Sequence, residues 1–181
     1  MTTVPLAFRP PSSSPAKAAS PFSTPDIGFL KGPWHVTHST LPMWRKNKNV
    51  VITYTLLESP PGAIDDLVHY NPLNSEKQKT VEGVDTPDPN IDAAYNWRGK
   101  GWLKIASSHW EVLGHGDADE GWMVTFFEKT LFTPAGIDIY ARRKGGLSEE
   151  LIQRIRAEMK KIDDLGFQKQ ADEIFEIKHE W

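Results

Sequence analysis

The sequence predicts an all-β domain, either a sandwich or a barrel, followed by one helix. Short apolar or alternating runs, each bounded by turn residues, succeed one another between residues 27 and 143. Repeated short strands at this spacing are typical of antiparallel sandwiches and barrels rather than of βαβ units. Near residue 148 the apolar pattern changes from a period of two to a helical period.

Turn residues fix the ends of the predicted strands. Ser59-Pro60-Pro61-Gly62 closes the second strand, and Thr86-Pro87-Asp88-Pro89 must form a loop because proline cannot donate to a central ladder. We expect the fifth strand to bend at Gly99 or Gly101. The eight predicted strands are 34–40, 49–58, 63–70, 78–85, 95–107, 110–115, 122–130 and 136–142, with a short final strand at 174–177.

The helix is predicted over about 148–165. Ser148 is the expected N-cap, and two acidic residues follow it in the first turn. Gly166 is the expected stop. An amphipathic helix after eight strands needs a surface to cover, and the outer wall of a barrel would serve. Its apolar stripe consists of Leu151, Ile152, Ile155, Met159 and Ile162.

Residues 1–26 are predicted to be a flexible tail, and the folded domain is predicted over 27–181. The first 26 residues are rich in Pro, Ser, Thr and Ala and contain few large apolar side chains. Such a segment buries too little surface to offset the entropy of ordering it. Its pattern fits neither a secretory signal nor a transit peptide, so we expect a cytoplasmic protein.

Composition narrows the function classes. The chain has 181 residues, a net charge of -3 and no cysteine. Nucleic acid is therefore not an expected partner, and disulfides and thiolate chemistry are excluded. No apolar run approaches the roughly 20 residues that a membrane helix needs. The seven tryptophans are a high count, and large aromatics either fill a core or line a cavity.

Several of these features, taken in order, resemble the lipocalin family of the calycin superfamily, particularly its bacterial outer-membrane and apolipoprotein D branch. Gly32-Pro33-Trp34 matches the family's Gly-x-Trp at the start of the first strand. Residues 49–56 resemble its second strand, and Arg142 falls where the family keeps an arginine after the last barrel strand. Residues 147–150 and 165–167 resemble the two ends of its helix. The resemblance spans about residues 29–177.

The resemblance implies an eight-stranded antiparallel up-and-down barrel with one C-terminal α-helix packed outside. It also implies that Trp34 lies at the closed base of the barrel and that Arg142 packs on it. A planar guanidinium stacked on indole gives cation–π attraction and can donate to nearby carbonyls. Both residues are therefore structural and are not catalytic candidates.

Strand phase predicts which side chains line such a barrel, because successive residues point to opposite faces. In the seventh strand both phases are apolar, so the sequence does not choose between Trp122, Val124 and Phe126 on one side and Met123, Thr125 and Phe127 on the other. The predicted ligand-binding residues are His38, Tyr54, His69, Tyr95, Trp97, Leu103 and Phe126.

Two functions fit this lining. The first is an intracellular protein that binds a small hydrophobic molecule, aromatic or terpenoid-like, inside the barrel. The alternative is a cofactor-independent enzyme of secondary metabolism, a cyclase, isomerase or pericyclase, in which His38, His69, Tyr54 or Tyr95 moves a proton. A filled barrel that acts as an interaction protein is a third option. No metal or cofactor is expected, since no histidine pair has the spacing of a metal motif.

Overall fold

The structure is a computed structural model that describes residues 5–18 and 21–181. Eight antiparallel strands form a closed barrel, which confirms the predicted fold class. Closure comes from β1, which pairs with β2 along one edge and with β8 along the other. The barrel strands are β1 (Gly32–Ser39), β2 (Asn47–Leu56), β3 (Ile64–Pro72), β4 (Lys79–Pro87), β5 (Ala94–Gly99), β6 (Ser107–Gly116), β7 (Trp122–Phe127) and β8 (Gly136–Ala141).

A short ninth strand, β9 (Phe175–Glu176), extends the closure. It pairs with β1 at His38 and Ser39, beyond the point where β1 and β2 stop pairing. The segment that follows continues beside β2, where Asn49 donates its backbone N–H to the Lys178 carbonyl at 2.9 Å. The C-terminal segment thus fills the gap between β1 and β2 near the open end of the barrel.

Strand alternation divides the apolar side chains into two cores. One core lies inside the barrel and includes Trp34, Tyr54 and Met123. The other lies between the outer wall and the C-terminal helices, and it includes Trp122 and Val124. The phase of β7 is thereby decided, because its odd-numbered residues face inward and its even-numbered residues face the helices.

The C-terminal region contains two helices where the sequence predicted one. After α1 (Ile27–Leu30), the helices are α2 (Glu149–Met159) and α3 (Leu165–Asp172). Ser148 caps α2, as predicted, by accepting from the Leu151 N–H. Gly166, the predicted stop, instead lies in the first turn of α3, because Asp164 caps that helix by accepting from the Phe167 N–H at 3.0 Å. Among the described residues, no helix is both long and apolar enough to cross a membrane.

Trp34 and Arg142 close the base of the barrel together. The Trp34 side chain is fully buried, and its indole N–H donates to the Leu30 carbonyl of α1 at 2.9 Å. The Arg142 guanidinium lies 3.6 Å from the centre of the indole ring. It also donates to the carbonyls of Phe29 and Pro33, which ties the segment before β1 to the end of β8.

The N-terminal segment packs on the barrel where the sequence predicted a flexible tail. Phe8 is only 5% exposed, and its ring lies 5.8 Å from that of Trp122. Phe8 also forms a bridge to Gly114, where a side chain would clash with the Phe8 ring. Arg9 forms an ion pair with buried Glu111 at 3.3 Å. The Phe8 ring and the Arg9 guanidinium thus have partners on the outer wall, which compensates for the otherwise weakly apolar composition of residues 5–18.

We expect Phe8→Ala to lower the free energy of unfolding by about 3 kcal/mol, because it removes a buried aromatic ring from the outer core. Phe132→Ala is the matched control. Phe132 is 76% exposed, so its truncation should change stability by less than about 0.5 kcal/mol. Urea denaturation of both variants measures the difference. Equal stability of the two variants would contradict the packing of the N-terminal segment.

Candidate ligand-binding site

The barrel encloses a cavity of about 250 Å³. The loops at the open end form its rim, at Leu41, Ala106 and Thr130. Its walls are largely apolar. The aromatic side chains that line it are Trp44, Tyr54, Trp97, Trp110, Phe127, Phe132 and Tyr140. A larger depression of about 860 Å³ lies outside the barrel, on outward-facing polar side chains such as Thr86, Asn96 and His109. The interior cavity has the character of a ligand site, since it is concave, aromatic and contains few polar groups.

A carboxyl pair, Asp66 and Asp85, lies in the wall of this cavity. Asp66 lines the cavity, and Asp85 is fully buried beside it and accepts the Trp110 indole N–H at 2.7 Å. Burial raises the pKa of Asp85 to about 7, although hydrogen bonds from Trp110 and Asp66 oppose the rise. Burial raises the pKa of Asp66 well above its ordinary value, and the neighbouring Asp85 carboxyl raises it further. Burial and the proximity of a second carboxyl therefore favour the protonated form at this pair.

A third carboxyl, Asp138, lines another part of the cavity. It accepts a hydrogen bond from the Ser39 hydroxyl, and Ser39 Oγ in turn accepts one from the Leu41 N–H at 2.8 Å. Burial raises the pKa of Asp138 to about 7, against the opposing effect of the Ser39 hydrogen bond. This contact holds the start of the β1–β2 loop against the first residues of β8.

Aromatic stacking orders the deep part of the interior. The Trp110 ring lies between Tyr54, at 5.7 Å with nearly parallel planes, and Tyr95, at 4.7 Å. Burial raises the pKa of Tyr54 well above its ordinary value and that of Tyr95 to about 12, so both phenols are neutral. A neutral phenol can both donate and accept a hydrogen bond.

Four buried polar atoms around the cavity have no hydrogen-bond partner of good geometry among the described residues. They are Asp66 Oδ1, Asp85 Oδ2, Trp44 Nε1 and Tyr140 Oη. Most buried polar atoms in proteins are paired, because leaving one unpaired costs about 1–3 kcal/mol. Neighbouring polar groups lie close to these atoms, among them Asp138 beside Trp44 and Thr125 beside Tyr140, but without good hydrogen-bond geometry, so a bound molecule with polar groups would compete for them.

The two predicted histidines lie outside the cavity and apart from each other. A bulge in β1 between Val36 and His38 turns His38 to the outer wall, where the charges of Arg156 and Glu149 of α2 act on it. His69 lies in an outward-facing row with Val51 and His35 across β3, β2 and β1. Burial lowers the pKa of both histidines, to about 4 for His38. The structure does not bring them together as an acid–base pair.

The remaining predicted site residues divide between the interior and other positions. Tyr54 and Trp97 line the cavity, and Tyr95 lies behind Trp110 in the same core. Phe126 faces outward and packs 6.4 Å from the Phe167 ring of α3. Leu103 lies in a 3-10 turn at the open end (Gly101–Ile105), because β5 ends at Gly99. Phe126 and Leu103 are therefore not part of the cavity wall.

Sequence reasoning missed the three buried carboxyl groups. Asp66 alternates with Ile64 and Val68, and Asp138 alternates with Gly136 and Tyr140. A strict reading of phase would have placed both carboxyls inside. The prediction that His69 lines the barrel implies the opposite phase of β3, which places Asp66 outside.

Known structures share this fold. The chain matches the crystal structure of the cockroach major allergen Per a 4 with a TM-score of 0.64, over 91% of this chain and 95% of the allergen chain, at 10% sequence identity. The fold is lipocalin-like. No family model and no curated protein matches the sequence. At this identity the likeness concerns the backbone of the lipocalin-like barrel and not its ligand.

The buried Asp138 should make stability pH-dependent in a defined direction. Its pKa is raised from 3.8 to about 7, so the folded state holds a proton that the unfolded state releases between these values. Through this group the free energy of unfolding falls as pH rises from about 4 to about 7. We expect Asp138→Asn to gain stability relative to the native protein as pH rises across this range, as measured by urea denaturation.

Asp65→Asn is the matched control for this experiment. Asp65 lies one residue from Asp66, but it is partly exposed and pairs with Lys100 outside the barrel. Its stability difference from the native protein should change little over the same pH range. Parallel pH profiles for Asp138→Asn and the native protein would contradict the buried state of Asp138.

Proposed function

We propose that this protein is an intracellular carrier or sensor that holds a small hydrophobic molecule inside its lipocalin-like barrel. The enclosed, aromatic cavity is the observation that carries the proposal. The absence of cysteine is compatible with a reducing compartment. We also propose a relationship to the bacterial outer-membrane and apolipoprotein D branch of the lipocalins, which rests on the ordered match of Trp34, Arg142 and the capped helix.

The cavity volume limits the size of the ligand. A cavity of about 150 Å³ is enough to bind benzene, so about 250 Å³ suits a molecule with one or two rings. The flat indole and phenol walls favour a flat apolar body. The few unpaired polar atoms favour one or two polar substituents on it.

The ligand would enter through the open end. The opposite end is sealed by Trp34 and α1, with Arg142 over the indole. The loops around the open end expose large apolar side chains that a soluble protein normally buries. They are Trp102, Ile105, Leu131 and Phe132.

A second candidate is a cofactor-independent isomerase or cyclase, and the Asp66–Asp85 pair favours it. A carboxyl that is protonated near neutral pH can donate its proton to a bound ligand, and the resulting carboxylate can take one back. The ligand would then leave as an isomer of equal mass. Tyr54 could assist at the same cavity, whereas His38 and His69 lie on the outer wall.

The carrier and enzyme hypotheses are distinguished by the compound that is recovered from the protein. A carrier returns the molecule that it bound, whereas an isomerase returns a product with a different chromatographic retention and the same mass. Extraction of the compound that copurifies with the native protein and with Asp66→Asn tests this. Recovery of the same single compound from both proteins favours the carrier, and two different isomers favour the enzyme.

Filling the cavity should abolish binding. We expect Val68→Trp to weaken the binding of 2-naphthol by about tenfold or more, because Val68 lines the cavity and an indole there would occupy the space of the ligand. Quenching of tryptophan emission during titration measures the affinity. Val84→Trp is the control, since Val84 pairs with Asp65 on the outer face of β4.

The control should bind 2-naphthol with native affinity. Equal affinity of all three proteins would contradict binding inside the barrel. Failure of the native protein to bind 2-naphthol or any other neutral bicyclic arene would contradict the proposed function itself.

A further inference from the structure

We propose that the ligand of the barrel is an arylalkylamine that binds as an ammonium cation, with its charged nitrogen against the Asp66 carboxyl and its ring between the cavity indoles. This inference rests on the proposed function and specifies its ligand class. Four features of the cavity carry it: its charge, its unpaired atoms, its aromatic walls and the way its carboxyl groups hold protons.

The ionisable side chains that line the cavity are all acidic. Asp66 and Asp138 line it, Asp85 lies directly behind Asp66, and no Lys, Arg or His is among the described residues that line it. The nearest candidates are occupied elsewhere, since Lys100 pairs with Asp65 outside the barrel and Arg142 donates to carbonyls at the base. Buried carboxyl groups are normally paired with a cation or with hydrogen-bond donors. Here Trp110 donates to Asp85 and Ser39 donates to Asp138, whereas Asp66 Oδ1 accepts no hydrogen bond of good geometry from the described residues.

The unpaired atoms point into the same space. Asp66 is 7% exposed, and its Oδ1 atom has no hydrogen-bond partner within the part of the chain that the structure describes. The Tyr140 hydroxyl is fully buried and makes no hydrogen bond of good geometry with the described residues, although Thr125 and Tyr54 lie near it, and Tyr140 lines the cavity with Asp66. An ammonium group carries three donors and no acceptor, so it matches a carboxylate oxygen and a phenol oxygen at once.

The walls suit a cation with a flat apolar body. Trp44, Trp97 and Trp110 line the cavity, and indole is the best cation–π partner among the side chains. The described residues contain no group of three or more acidic or histidine side chains that could hold a metal ion. An organic cation therefore fits this cavity better than a metal does.

Binding of such a cation would displace a proton from the Asp66–Asp85 pair. An ammonium group beside the pair favours the doubly ionised state, since opposite charge stabilises a carboxylate. The proton passes to the solvent and the ammonium replaces it. Affinity for the amine should therefore increase as pH rises through about 7, whereas affinity for a neutral analogue should not.

The test compares 2-(2-naphthyl)ethylamine with 2-(2-naphthyl)ethanol, which has nearly the same shape and no charge. Isothermal titration of the native protein near neutral pH should give an amine affinity about tenfold or more above that of the alcohol, as expected for a hydrogen bond to a charged group. Titrations in two buffers with different ionisation enthalpies should report proton release with the amine alone.

Asp66→Asn should remove the preference for the amine and retain binding of the alcohol, which also shows that the variant is folded. Asp65→Asn, the adjacent outward-facing carboxyl, should retain the native preference. If Asp66→Asn does not bind the alcohol, Asp138→Asn provides the second test of the acidic lining and should reduce the preference.

The outcomes separate the two proposals. Equal affinity of the native protein for the amine and the alcohol overturns the inference and leaves the carrier function intact. Tighter binding of the alcohol than of the amine also overturns the inference and leaves the carrier function intact. If the native protein binds neither compound, the carrier function and the inference both fail. A native preference that Asp66→Asn and Asp138→Asn both retain also overturns the inference, because the selectivity then arises elsewhere.

Discussion

The whole interior depends on the double pairing of β1. One edge of this strand bonds to β8, and its other edge bonds to β2 near the base and to β9 near the open end. Without this pairing the sheet would remain open, and there would be no barrel base for Trp34 to fill. The Arg142 guanidinium reinforces the junction, because it stacks on Trp34 and bonds the backbone before and within the start of β1. An enclosed interior of low dielectric follows from this closure.

That low dielectric gives the buried carboxyl groups their chemical character. On the outer wall Asp65 pairs with Lys100, whereas one residue later Asp66 is desolvated, and this burial and the neighbouring Asp85 carboxyl raise its pKa. The barrel thus combines apolar stacking surfaces with acidic groups whose charge can change near neutral pH. Such groups reduce stability when they ionise, which favours a functional reason for their presence. A ligand that supplies positive charge or hydrogen-bond donors would offset the cost.

Alternation predicted much of the fold from the sequence, but it failed where local geometry departs from a regular strand. Counting by twos from Trp34 places His38 inside, whereas the bulge after Val36 turns His38 outward and Ser39 inward. In β7 both phases are apolar, because α2 and α3 cover the outer wall, so Phe126 could not be placed by pattern alone. Leu103 does not line the barrel, because the chain turns back tightly after β5 and packs Leu103 against Gly99. The packing of Phe8 could not be predicted from local sequence, because its partner Gly114 is distant along the chain.

The central claim is that apolar molecules enter a hollow interior walled by particular indoles. Incorporation of 5-fluorotryptophan and titration with 2-naphthol test it directly, because each of the seven tryptophans contributes its own ¹⁹F resonance. We predict that the resonances of Trp44, Trp97 and Trp110 shift on titration, while those of Trp34, Trp122 and Trp181 do not. Shifts confined to exposed Trp102, or no shift at any site, would contradict a ligand-accessible interior.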